Sequence, residues 1–171
     1  FGTKFWEDHD KMLCHKFGFD RPLEGDEEFF LNWQGLMQEF ELDHTLFFNF
    51  LETRNEPTQQ TVEKISYGPL KKNLLSKLQN FVNVYISRLE KNIMSDAESI
   101  ALMQKNNPKF ILRNYLLFEC IEEIENGKKD LLQKLTHALE NPYEEIYPEF
   151  SVKRPSGYDG VSGCSMLSCS S

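Results

Sequence analysis

Apolar residues recur along this chain at steps of three and four, the spacing that places side chains on one face of an α-helix. A helix is expected from Lys4 to Phe17, closed by Gly18, which can adopt the left-handed backbone that ends helices. Asp20 to Gly25 reads as a connector. A second helix is predicted from Asp26 to about Phe40, with Phe29, Phe30, Trp33, Leu36, Met37 and Phe40 on a wide apolar face. Asp26, Glu27 and Glu28 put negative charge at its positive end. Asp43 can cap a short helix carrying Leu46, Phe47, Phe50 and Leu51, whereas Arg54 to Gln60 lacks periodicity and reads as an exposed loop.

The longest pattern begins at Pro69, a residue suited to a first helical turn, and continues through Leu70, Leu74, Leu78, Phe81, Val82, Tyr85, Leu89 and Ile93. Such a helix would span about 35 Å and serve as scaffold. Ser95 with Glu98 forms a capping box for Asp96 to Lys105, and Asn106-Asn107-Pro108 breaks that helix. From Phe110 to Ile124 apolar side chains fall at every angle of the wheel, so this helix is expected to be surrounded and central. Lys129 to Glu140 supplies one more amphipathic helix. No alternating polar and apolar run predicts a strand. The fold class that follows is all-α and bundle-like, with six or seven helices over residues 1–143. Residues 144–171, rich in Pro, Gly and Ser, read as a tail that builds no core and needs another surface to order it.

Composition narrows the chemistry. With 171 residues and 40% hydrophobic content the chain can bury a substantial core, and its fourteen Phe imply thick helix-to-helix packing. The 19 Lys and Arg against 27 Asp and Glu give a net charge of -8, which opposes a nucleic-acid surface. No apolar run reaches the ~18 residues of a membrane span, so neither partner is expected. Phe1 stands where an initiator Met would, and no leader pattern follows, so a longer polypeptide is expected. Four unevenly placed Cys do not form a secreted disulfide framework.

Few residues are candidates for function. Gly157 to Gly163 resembles a phosphate-binding loop in its glycines alone, because it neither follows a strand nor opens a helix. His9 and His15 do not share a helical face, so Asp8, His9, Asp10 and His15 make no metal site, and no metal ligand is assigned. Arg113 and Asn114 fall in the helix expected to be buried, which makes them structural polar residues that need a carboxylate or carbonyl partner. Cys14 and Cys120 read as inert helical thiols. Cys169 and, less strongly, Cys164 lie in the tail, where a thiol is accessible to redox chemistry.

Several blocks then resemble the selenoprotein O (SelO/YdiU) family in the family's order. They are Met12 to Gly18, Asp43 to Phe48, Tyr85 to Glu90, Asn107 to Tyr115, Asn141-Pro142-Tyr143 and Ser168 to Ser171. The resemblance is to the family's C-terminal portion. Phe118-Glu119-Cys120 departs from the small or amide residues usual there, and Pro155-Ser156-Gly157-Tyr158 replaces a commoner Pro-Pro-x-Trp. The resemblance implies a parent pseudokinase with a protein-kinase-like domain that binds ATP and Mg and transfers AMP to Ser, Thr or Tyr of other proteins. It places the nucleotide and metal residues upstream, so no cofactor is expected in this segment and the segment alone should be inactive. The expected partners are that kinase-like domain, within the same polypeptide, and the parent's protein substrates. Cys169 matches the family's terminal selenocysteine or cysteine, which implies a redox-regulatory role. Eukaryotic relatives imply a mitochondrial location, the alternative being cytoplasmic. The competing reading is an independent helical interaction module with a redox-active Cys tail.

Overall fold

A computed structural model describes residues 2–68 and 71–161, and its chain divides into two compact units, residues 1–107 and 108–171. Among the described residues there are eight α-helices and no strand, which bears out the all-α expectation.

In the first unit, α1 (Gly2–Phe17) ends as its sequence predicts. Gly18 takes φ +74°, and the N–H groups of Gly18 and Phe19 donate to the carbonyls of His15 and Cys14 at 3.1 and 2.8 Å. Then α2 (Asp26–Glu39) and α3 (His44–Glu52) follow, the latter capped by Asp43, whose carboxylate accepts the Leu46 N–H at 3.0 Å. A helix not anticipated, α4 (Gln59–Ile65), begins within the stretch read as loop. Thr58 and Thr61 cap it reciprocally, a Thr-for-Glu version of the capping box. A single antiparallel bridge between Leu42 and Ser66 joins its exit to the turn after α2.

The scaffold helix, α5 (Leu74–Leu89), is shorter than its pattern suggested: 16 residues, about 24 Å. Ile93 lies beyond its end and is 84% exposed, because Glu90 to Ser95 turn back to start α6 (Asp96–Asn106). Pro69 and Leu70, the expected start, lie outside the described residues. Ser95 and Glu98 form the predicted capping box on α6.

Phe17, fully buried, is the hub of this unit. Its ring packs on those of Phe19, Phe29, Phe30, Trp33, Phe48, Phe81 and Tyr85 at centroid separations of 5.0 to 6.4 Å. Edge-to-face and offset arrangements dominate, as the ring quadrupoles favour. The core thus gathers the aromatic residues of α1, α2, α3 and α5.

The second unit carries α7 (Asn114–Glu125) and α8 (Asp130–Glu140). Here the expectation of a surrounded central helix fails. The N–H groups of Lys109 and Phe110 both donate to the Pro142 carbonyl, at 2.7 and 3.0 Å, and residues 110–113 run without helical structure before α7 begins. Tyr115, Leu116 and Cys120 face inward, while Leu117, Ile121 and Ile124, spaced to share one face, are 43 to 50% exposed. The apolar wheel exceeds what this small unit can cover. Its core consists of Phe110, Tyr115, Leu116, Cys120, Leu135, Ala138 and Phe150.

That list also revises the expectation for residues after 143. Phe150 is buried, and Tyr147, Tyr158 and Val161 pack on the same cluster, so the described part of the presumed tail contributes to a core. Its aromatic residues outweigh its Pro and Gly content. Two short 3-10 turns, Pro148–Phe150 and Ser156–Tyr158, deliver Phe150 and Tyr158 to that cluster.

Candidate functional site

A dense polar network lies inside the first unit, beside the aromatic core. Arg88 occupies the inner face of α5 one turn after Tyr85, and its guanidinium meets the Asp26 carboxylate through Nε at 2.5 Å and Nη2 at 2.9 Å. The two side chains are 7% and 6% exposed. Nη2 also donates to the Arg21 carbonyl at 2.8 Å, and the guanidinium lies 4.2 Å from the Phe19 ring centroid. Asp26 in turn accepts the Leu23 N–H at 2.8 Å. The carboxylate expected to serve only as helix-start charge is therefore a buried ion-pair partner that ties α2 to α5.

Arg54 makes a second hub. Read as part of an exposed loop, it instead folds inward with φ +57°, its side chain 14% exposed. Its guanidinium donates to Asp96 Oδ1 at 3.1 Å, to Ser99 Oγ at 2.8 Å and to the Tyr85 hydroxyl. Tyr85 donates to the Phe17 carbonyl at 2.9 Å, and Ser99 donates to the Gly18 carbonyl at 2.7 Å. Asn92 Nδ2 reaches the same Gly18 carbonyl at 2.8 Å, and Asn107 Nδ2 reaches that of Lys16 at 2.7 Å. The α1 C-terminus, whose last carbonyls lack helical partners, is thus capped by side chains from α5 and α6 and the residues that follow them.

Electrostatics follow this packing. Burial pushes the Tyr85 hydroxyl well above its ordinary range, with Arg54 opposing, so it stays protonated and donates. Burial, reinforced by the nearby Asp26 charge, raises the Cys14 thiol to about 12, which makes it unreactive as the sequence suggested. Burial lowers Lys16, whose ammonium donates to Asn107 Oδ1 at 3.3 Å and lies 5.3 Å from the Phe48 ring centroid.

The residues singled out by sequence lie elsewhere. Arg113 is the N-cap of α7 and Asn114 its first residue, both half-buried at the helix mouth and not inside a buried helix. A buried, carboxylate-paired Arg is present at Arg88, which the sequence reading did not single out. Cys164 and Cys169 lie outside the described residues. The signal for Arg88 was present: it stands three residues after Tyr85, on the face that α5 buries. Arg54 and Ser99 carried no such signal, since their roles depend on a left-handed turn and a long-range contact.

The turn at residues 156–158 meets α7 in space. The Tyr158 ring packs on those of Tyr115 and Phe118 at 5.4 and 6.5 Å, and its hydroxyl donates to Glu119 Oε1 at 2.5 Å. Arg154 braces the turn through Asp159 at 2.7 Å.

This geometry holds helices together: the buried cations reach carboxylates and carbonyls of the chain itself, and among the described residues no three His, Cys, Asp or Glu side chains converge as a metal site. Comparison with known proteins finds relatives whose names describe protein nucleotidyltransferases. A protein named nucleotidyltransferase YdiU from Cytophaga hutchinsonii is 32% identical over 166 residues, covering 94% of this chain and 32% of the relative. Those of Flavobacterium johnsoniae and Xanthomonas oryzae are 31% and 32% identical over 180 and 161 aligned residues, covering 100% and 91% of this chain but 34% and 31% of the relatives. Residues 1–141 match the family model described as protein adenylyltransferase SelO, and the chain belongs to that family. It spans about a third of the length of these curated relatives.

Proposed function

We propose that this chain is the C-terminal helical part of a protein adenylyltransferase that moves AMP from ATP, with Mg, onto Ser, Thr or Tyr hydroxyls of other proteins. In this reading the nucleotide site belongs to a kinase-like domain elsewhere in the polypeptide, and the helices described above brace it. The observation that carries the proposal is the family match over residues 1–141 in a chain that covers about a third of its relatives. The Arg88–Asp26 and Arg54–Tyr85–Ser99 clusters support the bracing role, because each spends its charge on fixing helix positions.

The exposed stripe Leu117, Ile121 and Ile124 offers an apolar surface for such a neighbour. Cys169, seconded by Cys164, is the regulatory element of the proposal: its thiol and a thiol on a loop of the catalytic part, oxidised together by hydrogen peroxide that leaves as two waters, would form a disulfide that holds that loop in one arrangement. The test is AMP transfer from α-labelled ATP by a longer polypeptide that includes this chain, with and without reductant. Transfer that responds to reductant in the parent and not in its Cys169→Ser variant supports the role. Equal responses in both would remove Cys169 from the mechanism, and no transfer at all would remove the activity.

A further inference from the structure

Within the first unit, a groove of about 750 Å³ lies between α1, the connector at residues 22–25 and the first turns of α2. Its floor is apolar, made by Leu13 and Phe30, which are buried in the core. Its lips carry Trp6 and Leu31, each 61% exposed, an unusual amount of apolar surface for two large side chains facing one depression. The His9 ring meets the Trp6 ring edge to face at 5.8 Å, and its Nδ1 lies 3.3 Å from Asp10 Oδ1. The exposed carboxylates at the rim are Asp10, Glu24 and Glu27. Among the described lining residues there is no Lys or Arg. Asp26 also lines the groove, but Arg88 neutralises it from the core side.

We propose that this groove docks a basic, apolar peptide segment, an aliphatic anchor seated between Trp6 and Leu31 with Lys or Arg side chains reaching the Asp10, Glu24 and Glu27 carboxylates. An apolar floor supplies affinity, while a rim of one sign selects the charge of what enters and repels acidic segments. The Trp6 face adds attraction for a cation near it. This docking does not depend on the proposed adenylyl transfer, and its test leaves that reading untouched.

The test uses the 171-residue chain and two synthetic 12-residue amphipathic probes, one of Leu and Lys and one of Leu and Glu, followed by tryptophan emission and anisotropy. The Leu–Lys probe is expected to bind and shift the emission of Trp6 to the blue, with the Leu–Glu probe at least about tenfold weaker. Leu31→Ala and the pair Glu24→Gln, Glu27→Gln should each weaken the Leu–Lys probe roughly fivefold or more, since all three side chains are exposed and leave the core intact. The pair Glu122→Gln, Glu123→Gln removes the same charge from α7 and should leave binding unchanged. Equal weakening by both charge pairs would reduce the effect to diffuse attraction and overturn the proposal. So would equal binding of the two probes, or sedimentation showing that a second copy of the chain fills the groove and that Leu31→Ala abolishes that dimer.

Discussion

Replacing Arg88 by Met keeps most of its aliphatic volume and leaves the Asp26 carboxylate buried without its guanidinium. At 6% exposure that carboxylate cannot recover its hydration, although the Leu23 N–H still donates to it. Breaking one side of such a pair costs about 3–5 kcal/mol, most of it the stranded charge. The lost donation to the Arg21 carbonyl and the lost contact with the Phe19 ring act in the same direction. For a unit of this size each kcal/mol lowers the midpoint by about 4–8 °C, so the variant should melt more than about 12 °C lower. Both tryptophans, Trp6 and Trp33, belong to the first unit, so emission during a urea titration reads this unit specifically. The double variant Arg88→Met, Asp26→Leu removes both charges and should recover at least half of the loss, giving a coupling of about 2 kcal/mol or more. A single variant that loses under about 1 kcal/mol would refute the reasoning, because it would mean that the pair is hydrated in solution. A double variant no better than the single one would show that the loss comes from packing instead of stranded charge.

Three further outcomes follow from particular contacts. Asp20 is raised by burial but brought below its ordinary value of 3.8 by the N–H groups of Ile93 and Met94 and by Arg21. Its contribution is therefore complete above about pH 4 and is lost as pH falls through the lower folded value, so Asp20→Asn should flatten the acid limb of the stability curve in that window. Gly18→Ala forces φ +74° on a residue with a Cβ that would stand 2.5 Å from Ser99 Oγ, whereas Gly127→Ala at φ +77° meets open space. The first should cost about 2 kcal/mol or more and the second about 1, compared by urea unfolding with the signal of each unit. Tyr158→Phe keeps the ring on Tyr115 and Phe118 but removes the donor to Glu119, at a cost of about 1–3 kcal/mol, visible as faster amide exchange across residues 150–158.

Helix boundaries were legible wherever local chemistry decides them. Gly18, Asp43 and the Ser95–Glu98 box act within one turn, and the structure places each as the pattern predicts. The spacing in α2 likewise identified the face that meets Phe17. What covers a helix is decided by residues distant in sequence, which its own pattern does not encode. The apolar wheel at residues 110–124 announced burial, yet its actual cover is set by Phe150 and Leu135, far along the chain, and leaves one stripe open. Arg54 looked like loop because its role requires a left-handed turn and contacts with α5 and α6, neither of which has a local sequence pattern. The redox candidates Cys164 and Cys169 rest on resemblance and on tail position alone.

Calorimetric titration of the folded 171-residue chain with ATP and Mg tests the proposed function most directly. The proposal predicts no saturable heat for this chain and clear binding by a longer polypeptide that includes the kinase-like domain. Stoichiometric binding of ATP by the 171-residue chain itself would contradict it.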